Sequence, residues 1–253
     1  MSRQLIVNAD DLGRSDGVNR GIFEAHDRGV VTSATLMVGF PAAEAAAAEL
    51  ACHPRLGVGL HVTLTGAAST LPPREVPSLV DAQGLLPRKP EAMGEADSGE
   101  LLAEVRHQLA LFRQMTGRMP THLDSHHHSH RLPVVLDALL AVAREHGLSV
   151  RRASEEVAVR AAAAGVRTTD FFLESFFGKT ATLGVLLVLL RGLPAGVTEL
   201  MCHPGYVDEE LRRGSGYADD REREIAVLTD QRAAAALQQL GIGLTHFGAL
   251  CGS

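Results

Sequence analysis

The chain lacks several residue types on which common binding sites depend. It has no tryptophan and only two tyrosines, so few aromatic side chains are available to stack against sugar rings. Lysine occurs twice, as Lys89 and Lys179, and neither residue follows a clear strand. Barrel hydrolases that depend on a carboxylated lysine are therefore disfavoured.

Disulfide scaffolds and membrane spans are disfavoured as well. The three cysteines, Cys52, Cys202 and Cys251, are widely spaced and form no Cys-x-x-Cys pair, which is typical of a reducing compartment. The early apolar run is interrupted at Asn8, unlike a signal peptide, and residues 183–190 are too few to cross a bilayer. We interpret residues 183–190 as a buried helix and predict a cytoplasmic protein without membrane insertion.

Charge and length indicate one folded domain that does not bind polyanions. The chain has 24 basic and 30 acidic residues, and its net charge of −6 argues against nucleic-acid or anionic-membrane partners. Its 253 residues, 45% of them hydrophobic, suffice for one large core, so we expect a single domain over residues 1–253. The sequence gives no indication of an oligomeric state.

Short apolar segments alternate with helical patterns along almost the whole chain, which predicts an α/β fold with a parallel sheet. The predicted strands are residues 4–8, 33–38, 57–62, 121–124, 148–151, 197–202 and 242–247. The predicted helices are residues 17–28, 42–52, 100–116, 133–146, 179–191 and 219–240. About seven such units favour a closed or nearly closed barrel, in which the residues that follow the strands meet at one rim.

Residues 121–130 contain five histidines and one aspartate. Alternate side chains of an extended segment share a face, which here would carry His122, Asp124, His126, His128 and His130. Imidazole is the commonest protein metal ligand, and the cluster is internal and interrupted, unlike a purification tag. We predict a metal or catalytic site here, with a plain histidine-rich loop as the alternative.

Polar residues at other predicted strands complete this site. Asp10 and Asp11 follow the first strand, His61 lies within the third, and His203 follows the sixth. One aspartate and two histidines from separate strands suit a divalent ion and leave positions open for water and substrate. One carboxylate would bind the ion and the other would accept a proton from a water whose pKa the ion lowers to about 7. His203 would then protonate the leaving group.

Two irregular segments follow the strands that carry His61 and His203. Residues 66–99 contain five prolines and little helical periodicity. We expect this segment to form a lid or a wall over the site, although a simple insertion would look the same. Residues 205–217 are expected to line the same rim. No nucleophile elbow, phosphate-binding loop or dinucleotide motif offers a competing mechanism.

Four motifs carry a family resemblance. They are residues 8–13 (Asn-Ala-Asp-Asp-Leu-Gly), residues 59–63 (Gly-Leu-His-Val-Thr), the histidine-rich residues 121–130 and residues 202–205 (Cys-His-Pro-Gly). Their order and spacing resemble the YdjC-like carbohydrate deacetylases, which include chitooligosaccharide deacetylases. The resemblance implies a distorted, polysaccharide-deacetylase-like β/α barrel. It also implies metal-dependent removal of acetyl groups from N-acetylated amino sugars, either chitin fragments or lipid-linked sugars.

The same resemblance implies roles for individual residues. Asp11, His61 and His126 would bind the metal. Asp10 would be the general base and His203 the general acid. One divalent ion is expected, zinc or magnesium first, with cobalt, nickel and manganese also compatible, although two histidines suit magnesium less well than the others.

Alternatives for the ligands and for the function stay open. In one alternative His128 replaces or assists His126. In another His130 pairs with His126, and His61 then supports a ligand from behind or faces the substrate. Asp124 is expected to orient a ligand imidazole. The rival functions are a non-catalytic, histidine-rich metal-binding protein with several ions per chain, and another barrel metal hydrolase of the amidohydrolase or phosphoesterase kind.

Overall fold

The computed structural model describes residues 2–252, so the first and last residues of the predicted domain lie outside it. Within this range, eight strands form one parallel sheet. The strands are β1 Arg3–Leu12, β2 Ser33–Leu36, β3 Gly57–Val62, β4 His122–Ser125, β5 Ser149–Val150, β6 Phe171–Leu173, β7 Gly196–Cys202 and β8 Ile242–Leu244. Seven of them follow the order β5-β4-β3-β2-β1-β7-β6, and β8 pairs with β1.

The sheet is a curled half-barrel whose two ends are β5 and β6. The α/β class and the parallel strands are as predicted, and the shape is the distorted form that the family resemblance implied rather than a closed cylinder. β1 lies at the centre, with β7 along one edge. Its other edge is shared, because β8 pairs with residues 3–5 and β2 pairs from Asn8 onward.

Helices connect these strands. The α-helices are α1 Asp16–Asp27, α2 Ala43–Glu49, α3 Ser98–Thr116, α4 Pro133–His146, α5 Glu155–Ala163, α6 Leu183–Arg191, α7 Glu209–Gly214, α8 Arg221–Leu228 and α9 Gln231–Gln239. Short 3-10 helices occupy Leu50–Cys52, Pro73–Glu75, Pro90–Glu95, His126–Arg131, Gly178–Thr180 and Phe247–Gly252. The helix predicted over residues 42–52 is thus α2 followed by one 3-10 turn.

α3 shows how local sequence sets the limits of a helix. Its N-cap residue, Asp97, accepts hydrogen bonds from the backbone N–H groups of Gly99 and Glu100. It ends at Gly117, which has a φ of 68°, a left-handed conformation that glycine adopts at little cost. Residues spaced by three or four positions along one face are buried, namely Leu101, Val105, Leu109 and Phe112.

Four elements in the second half differ from the prediction. α5, β6 and α7 were not predicted, and α7 lies within the segment expected to be irregular. β6 has only three residues and none of them is buried, which leaves no apolar run to detect. The single helix predicted over residues 219–240 is two helices. The chain breaks at Asp230, whose side chain caps α9 by accepting a hydrogen bond from the backbone N–H of Arg232.

The predicted extended segment over residues 121–130 is wrong beyond Ser125. From His126 the chain forms a 3-10 turn, in which His127 and His128 adopt positive φ values of 54° and 51°. Ser125 Oγ accepts a hydrogen bond of 3.0 Å from the backbone N–H of His130, which closes the turn. Because the two-residue alternation stops here, His126, His128 and His130 do not share one face.

Residues 183–190 form an amphipathic rather than a buried helix. In α6, Leu186 and Leu190 are buried, whereas Val188 is 65% exposed. Within residues 2–252, the structure has no helix that combines the length and the apolar character needed to cross a membrane.

Candidate metal centre and active site

The carboxyl ends of β1, β3, β4 and β7 face a cavity of about 1080 Å³. Residues at or just after the carboxyl ends of these strands line it, as expected for a parallel sheet of this kind. The lining includes most of the predicted site together with four arginines: Asp10, Asp11, His61, His126, His203, Arg14, Arg88, Arg213 and Arg221.

A bulge in β1 brings both aspartates to this cavity. β1 advances three residues, from Ala9 to Leu12, while β2 advances two, from Ala34 to Leu36. Within the bulge Asp11 has a φ of 71°, which is rare for a residue other than glycine. In a regular strand the two carboxylates would point to opposite faces. The prediction expected a turn after the strand to achieve this, and the bulge has the same effect.

Asp11, His61 and His126 form a His-Asp group that is called the deep group below. The overlapping set Asp10, His61 and Asp124 is also close enough to share an ion, but Arg151 pairs with both of its carboxylates. Asp11 Oδ1 lies 3.4 Å from His61 Nε2 and 3.2 Å from His126 Nδ1. One ligand atom from each residue lies within 4.8 Å of the others, as a single ion requires. Asp11 Oδ1 is buried without a hydrogen-bond partner in the part of the chain described. An orphaned carboxylate oxygen between two imidazoles fits a metal cation.

His61 is held in the orientation that a ligand needs. Its Nδ1 lies 2.7 Å from Asp124 Oδ1, so Nδ1 donates to this carboxylate and Nε2 is directed at Asp11. Thr35 donates a hydrogen bond of 3.1 Å to the other oxygen of Asp124. Burial opposes the charged imidazolium, but Asp124 and Asp11 outweigh it and raise the pKa of His61 to about 10. The surroundings of His61 therefore strongly favour a positive charge.

Arg221 completes the surroundings of Asp11. Its guanidinium donates a hydrogen bond of 2.5 Å to Asp11 Oδ2, the oxygen turned away from the histidines. Burial opposes ionisation of Asp11, yet Arg221 and His126 hold the pKa of this carboxyl well below its usual range. Sequence reasoning missed Arg221, because it lies at the start of α8, far along the chain, and follows no strand.

Asp10 is bound from the other side by Arg151. The guanidinium donates two hydrogen bonds, of 2.7 and 2.6 Å, one to each oxygen of Asp10. Arg151 is fully buried and also contacts Asp124 at 2.9 Å and Glu199 at 2.7 Å. Burial raises the pKa of Asp10, but Arg151 lowers it by more, so the pKa of this carboxyl lies well below its usual range.

Arg151 was also missed as a site residue, although a signal existed. It directly follows β5, and the predicted strand over residues 148–151 ended at this residue. A charged residue at the carboxyl end of a parallel strand is placed at the rim by the same rule that identified Asp10 and His203.

His203 follows β7 and lies on the far side of Asp10. Its Nε2 is 3.9 Å from Asp10 Oδ2, and only 13% of its side chain is exposed. Its backbone N–H donates a hydrogen bond of 2.5 Å to Glu224. Burial lowers the pKa of His203 to about 4 in spite of the nearby aspartates, so the imidazole is neutral at pH 7 in the absence of a ligand.

The other histidines of the turn lie away from Asp11. His130 is buried, and its Nδ1 lies 2.6 Å from Ser125 Oγ. His128 Nε2 lies 3.4 Å from a carboxylate oxygen of Glu174. Within residues 2–252, neither belongs to a His-Asp group that could hold an ion, whereas His126 does.

Both irregular segments reach the cavity. From residues 66–99, Gly66, Leu85 and Arg88 line it, and from residues 205–217, Arg213 and Tyr217 do. The first segment is attached to α3 through the buried carboxylate of Glu104. This carboxylate accepts hydrogen bonds from the backbone N–H groups of Thr70 (2.8 Å) and Leu71 (3.0 Å).

Proteins with known names are similar to this chain over nearly its whole length. A carbohydrate deacetylase from Geobacillus stearothermophilus is 43% identical over 248 residues, which is 98% of each chain. A chitooligosaccharide deacetylase from Yersinia pestis is 37% identical over 254 residues, covering 98% of this chain and 99% of that one. Both names denote the enzyme class that the sequence predicted.

Solved structures share the fold. A crystal structure from Enterococcus faecalis, titled as a putative cellobiose-phosphate cleavage protein, superposes with a TM-score of 0.94 at 36% identity, covering 99% of both chains. A family 4 acetyl xylan esterase from Clostridium thermocellum, solved with a cobalt ion, superposes with a TM-score of 0.54 at 10% identity. The match covers 98% of this chain and 90% of that one, and it is evidence of a common fold alone.

The family described as YdjC-like protein matches residues 4–239. Together with the relatives at 37–43% identity over nearly the whole chain, this match identifies the protein, as the sequence motifs predicted, as a member of the YdjC-like family.

Proposed function

We propose that this protein is a metal-dependent hydrolase that removes acetyl groups from N-acetylated amino sugars, either chitooligosaccharides or lipid-linked sugars. The observation that carries the proposal is the deep group, with its orphaned Asp11 oxygen, beside a second carboxylate on Asp10. The names of the two deacetylase relatives support the choice of substrate class.

Asp11, His61 and His126 are proposed to hold one divalent ion. When bound, such an ion supplies positive charge that favours ionisation of a water and stabilises negative charge on the amide oxygen. Asp124 holds His61 in place, and Arg221 holds Asp11. A ligand set of one oxygen and two nitrogens favours zinc, cobalt, nickel or manganese over magnesium, which prefers six oxygen ligands.

Asp10 and His203 are proposed to move the proton. Asp10 is ionised, and Arg151 fixes both of its oxygens, so it can accept a proton from the attacking water only transiently. Its Oδ2 faces His203 Nε2 at 3.9 Å. His203 has the higher pKa of the two, so it receives this proton and delivers it to the amine nitrogen as the C–N bond breaks.

The wall of the cavity beside His203 supports a sugar substrate. Phe177 is 43% exposed, lines the cavity and stacks on Tyr217 with ring centroids 4.1 Å apart. Tyr217 is fixed, because its hydroxyl accepts a hydrogen bond of 2.8 Å from the backbone N–H of Gly178 and donates one to Glu224. The pair offers an aromatic surface for the apolar face of a sugar ring. Residues 66–99 are proposed to form the opposite wall and to act as a lid.

A cytoplasmic setting is part of the proposal. Cys52 is exposed and Cys202 is buried, and both are free thiols. Free cysteines are typical of a reducing compartment.

Acetate release from N-acetylglucosamine oligomers tests the function. The protein would be stripped of metal with a chelator and resupplied with one divalent ion at a time. Acetate release that returns with a metal, and that fails in the His126→Ala variant, is the expected result. One tightly bound ion without release would reject this substrate, and N-acetylated lipid-linked sugars would be assayed next. Several bound ions without hydrolysis of either substrate would favour the metal-buffering rival.

A further inference from the structure

A second His-Asp group lies outside the catalytic cavity, at the end of α1. It consists of His26 and Asp27 in α1 and His53 after α2, and is called the surface group below. One ligand atom from each residue lies within 4.8 Å of the others. None of the three residues lines the cavity of the deep group. We propose that the surface group binds a second divalent transition-metal ion.

The contacts of both histidines prepare them for an ion. Nδ1 of His26 lies 2.8 Å from the carbonyl oxygen of Val31, so it donates there and leaves Nε2 with its lone pair. Nδ1 of His53 faces Asp27 Oδ1 at 3.0 Å, while its Nε2 faces a carboxylate oxygen of Glu49 at 3.7 Å. The hydrogen bond from His26 to Val31 is the usual way in which the far nitrogen of a metal-binding histidine is held. The 3.0 Å contact between His53 and Asp27 already places two of the proposed ligands side by side.

The two histidine rings of the surface group are also held in place by aromatic contacts. His53 is 8% exposed and stacks on Phe23, with ring centroids 4.4 Å apart and ring planes 11° from parallel. The His26 ring meets the His53 ring edge-on at 6.0 Å. Because the His53 ring is already immobile, binding would sacrifice little side-chain entropy. Asp27, with 53% of its side chain exposed, supplies negative charge and an open approach from solvent.

The ligand types define the ion. Two imidazoles and one carboxylate suit zinc, nickel or copper, and suit calcium and magnesium poorly. Such an ion would link the end of α1 to the segment after α2. α1 follows the strand that carries Asp10 and Asp11, but the ion itself would lie outside the cavity of the deep group. We therefore expect the ion to stabilise the fold and to leave the catalytic step unchanged.

Zinc stoichiometry of the full-length protein tests this proposal. Chelator-stripped protein would be titrated with zinc in a calorimeter, and bound zinc would be counted by native mass spectrometry. The expected result is two ions in the unaltered protein and one in the His26→Gln variant. His146→Gln, which alters a surface histidine beside Glu145, is the matched control and should keep two. His126→Ala should lose the ion of the deep group instead.

The outcomes separate this proposal from the proposed function. Two ions in the His26→Gln variant, or a single ion in the unaltered protein that His126→Ala removes, would overturn the surface site whatever the enzyme activity. Failure of the deacetylase proposal would appear only in acetate release. Asp27→Asn guards against a folding artefact, because it keeps the size of the side chain and should also lose one ion while its far-ultraviolet circular dichroism spectrum stays unchanged.

Discussion

The deep group and the surface group offer the same ligand types, one aspartate and two histidines, in opposite settings. In the deep group the ligands come from three separate strand ends, and Asp11 and His61 are almost completely buried. In the surface group two ligands are consecutive residues of one helix, and Asp27 is about half exposed. Burial in the deep group requires compensation, which Arg221 and Asp124 provide.

The difference shows that the ligands alone do not make a catalytic site. What the deep group has in addition is Asp10, fixed by Arg151, with His203 beyond it and a cavity large enough for a sugar oligomer. The surface group borders a smaller and more open cavity of about 650 Å³, which Glu49 also lines, and Glu49 faces a ligand histidine. We therefore expect one ion to support chemistry and the other to hold two segments together.

Asp10→Asn should have the largest effect on kcat among variants that keep both metal ions. An unchanged kcat would contradict the difference drawn between the deep group and the surface group. The amide cannot accept the proton, so we expect kcat for acetate release to fall by about a thousandfold. Metal content at the deep group should be retained, because Asp10 is not proposed as a ligand. Elemental analysis beside the kinetic assay checks both. Loss of the metal would reverse the roles assigned to Asp10 and Asp11.

His126→Ala should remove the ion of the deep group and with it the activity, because only two ligands would remain. His128→Ala is the control within the same turn and should keep both the ion and most of the activity. His53→Ala sharpens the comparison, since it should release only the surface ion. Full occupancy of the deep group in His126→Ala would transfer the ligand role to His128 or His130.

Phe177→Ala should weaken substrate binding without affecting either metal. The loss of one aromatic contact corresponds to about 0.5–1.5 kcal/mol, so KM should rise roughly threefold to tenfold while kcat changes little. Phe171→Ala is a matched control, because Phe171 is 40% exposed but does not line the cavity. An equal rise of KM in both variants would remove Phe177 from the proposed sugar-binding wall.

A change at His130 should affect stability and leave the chemistry of the cavity unchanged. Burial and the Arg151 charge lower its pKa to about 3, from an ordinary value of 6.5. The unfolded chain therefore binds one more proton between these values, so the contribution of His130 is complete above pH 6.5 and is lost as the pH falls toward 3. In chelator-treated protein, His130→Asn should reduce the slope of unfolding free energy against pH by about 1.4 kcal/mol per pH unit. An unchanged slope would contradict the buried, neutral state.

The sequence was most informative where local patterns determine structure. Apolar runs located β1, β3 and β7, and the meeting of parallel strand ends then brought Asp10, His61 and His203 together. The position of His126 beside Asp11 was predicted from the family resemblance, but through an extended segment that is a tight turn in the structure. Ser125 closes this turn, and a single serine of this kind produces no periodic pattern in the sequence.

Long-range partners could not be predicted from local patterns. Arg221 reaches Asp11 from the other end of the chain, and only packing decides which carboxylate an arginine meets. The aromatic count is equally uninformative about location. The few aromatic residues include Phe177 and Tyr217, which lie against each other at the cavity. A count gives the number of such residues and not their locations.

The central position of β1 has a consequence for biosynthesis. β1 emerges early from the ribosome, and β2 can pair with its second half soon afterwards. The opposite edge waits for β7, and the first half waits for β8, both near the far end of the chain. Until then an apolar strand with unpaired backbone groups is exposed to other nascent chains. Asp10 and Asp11 thus lie on a strand whose pairing depends on β7 and β8, and slow translation before these two strands would favour aggregation.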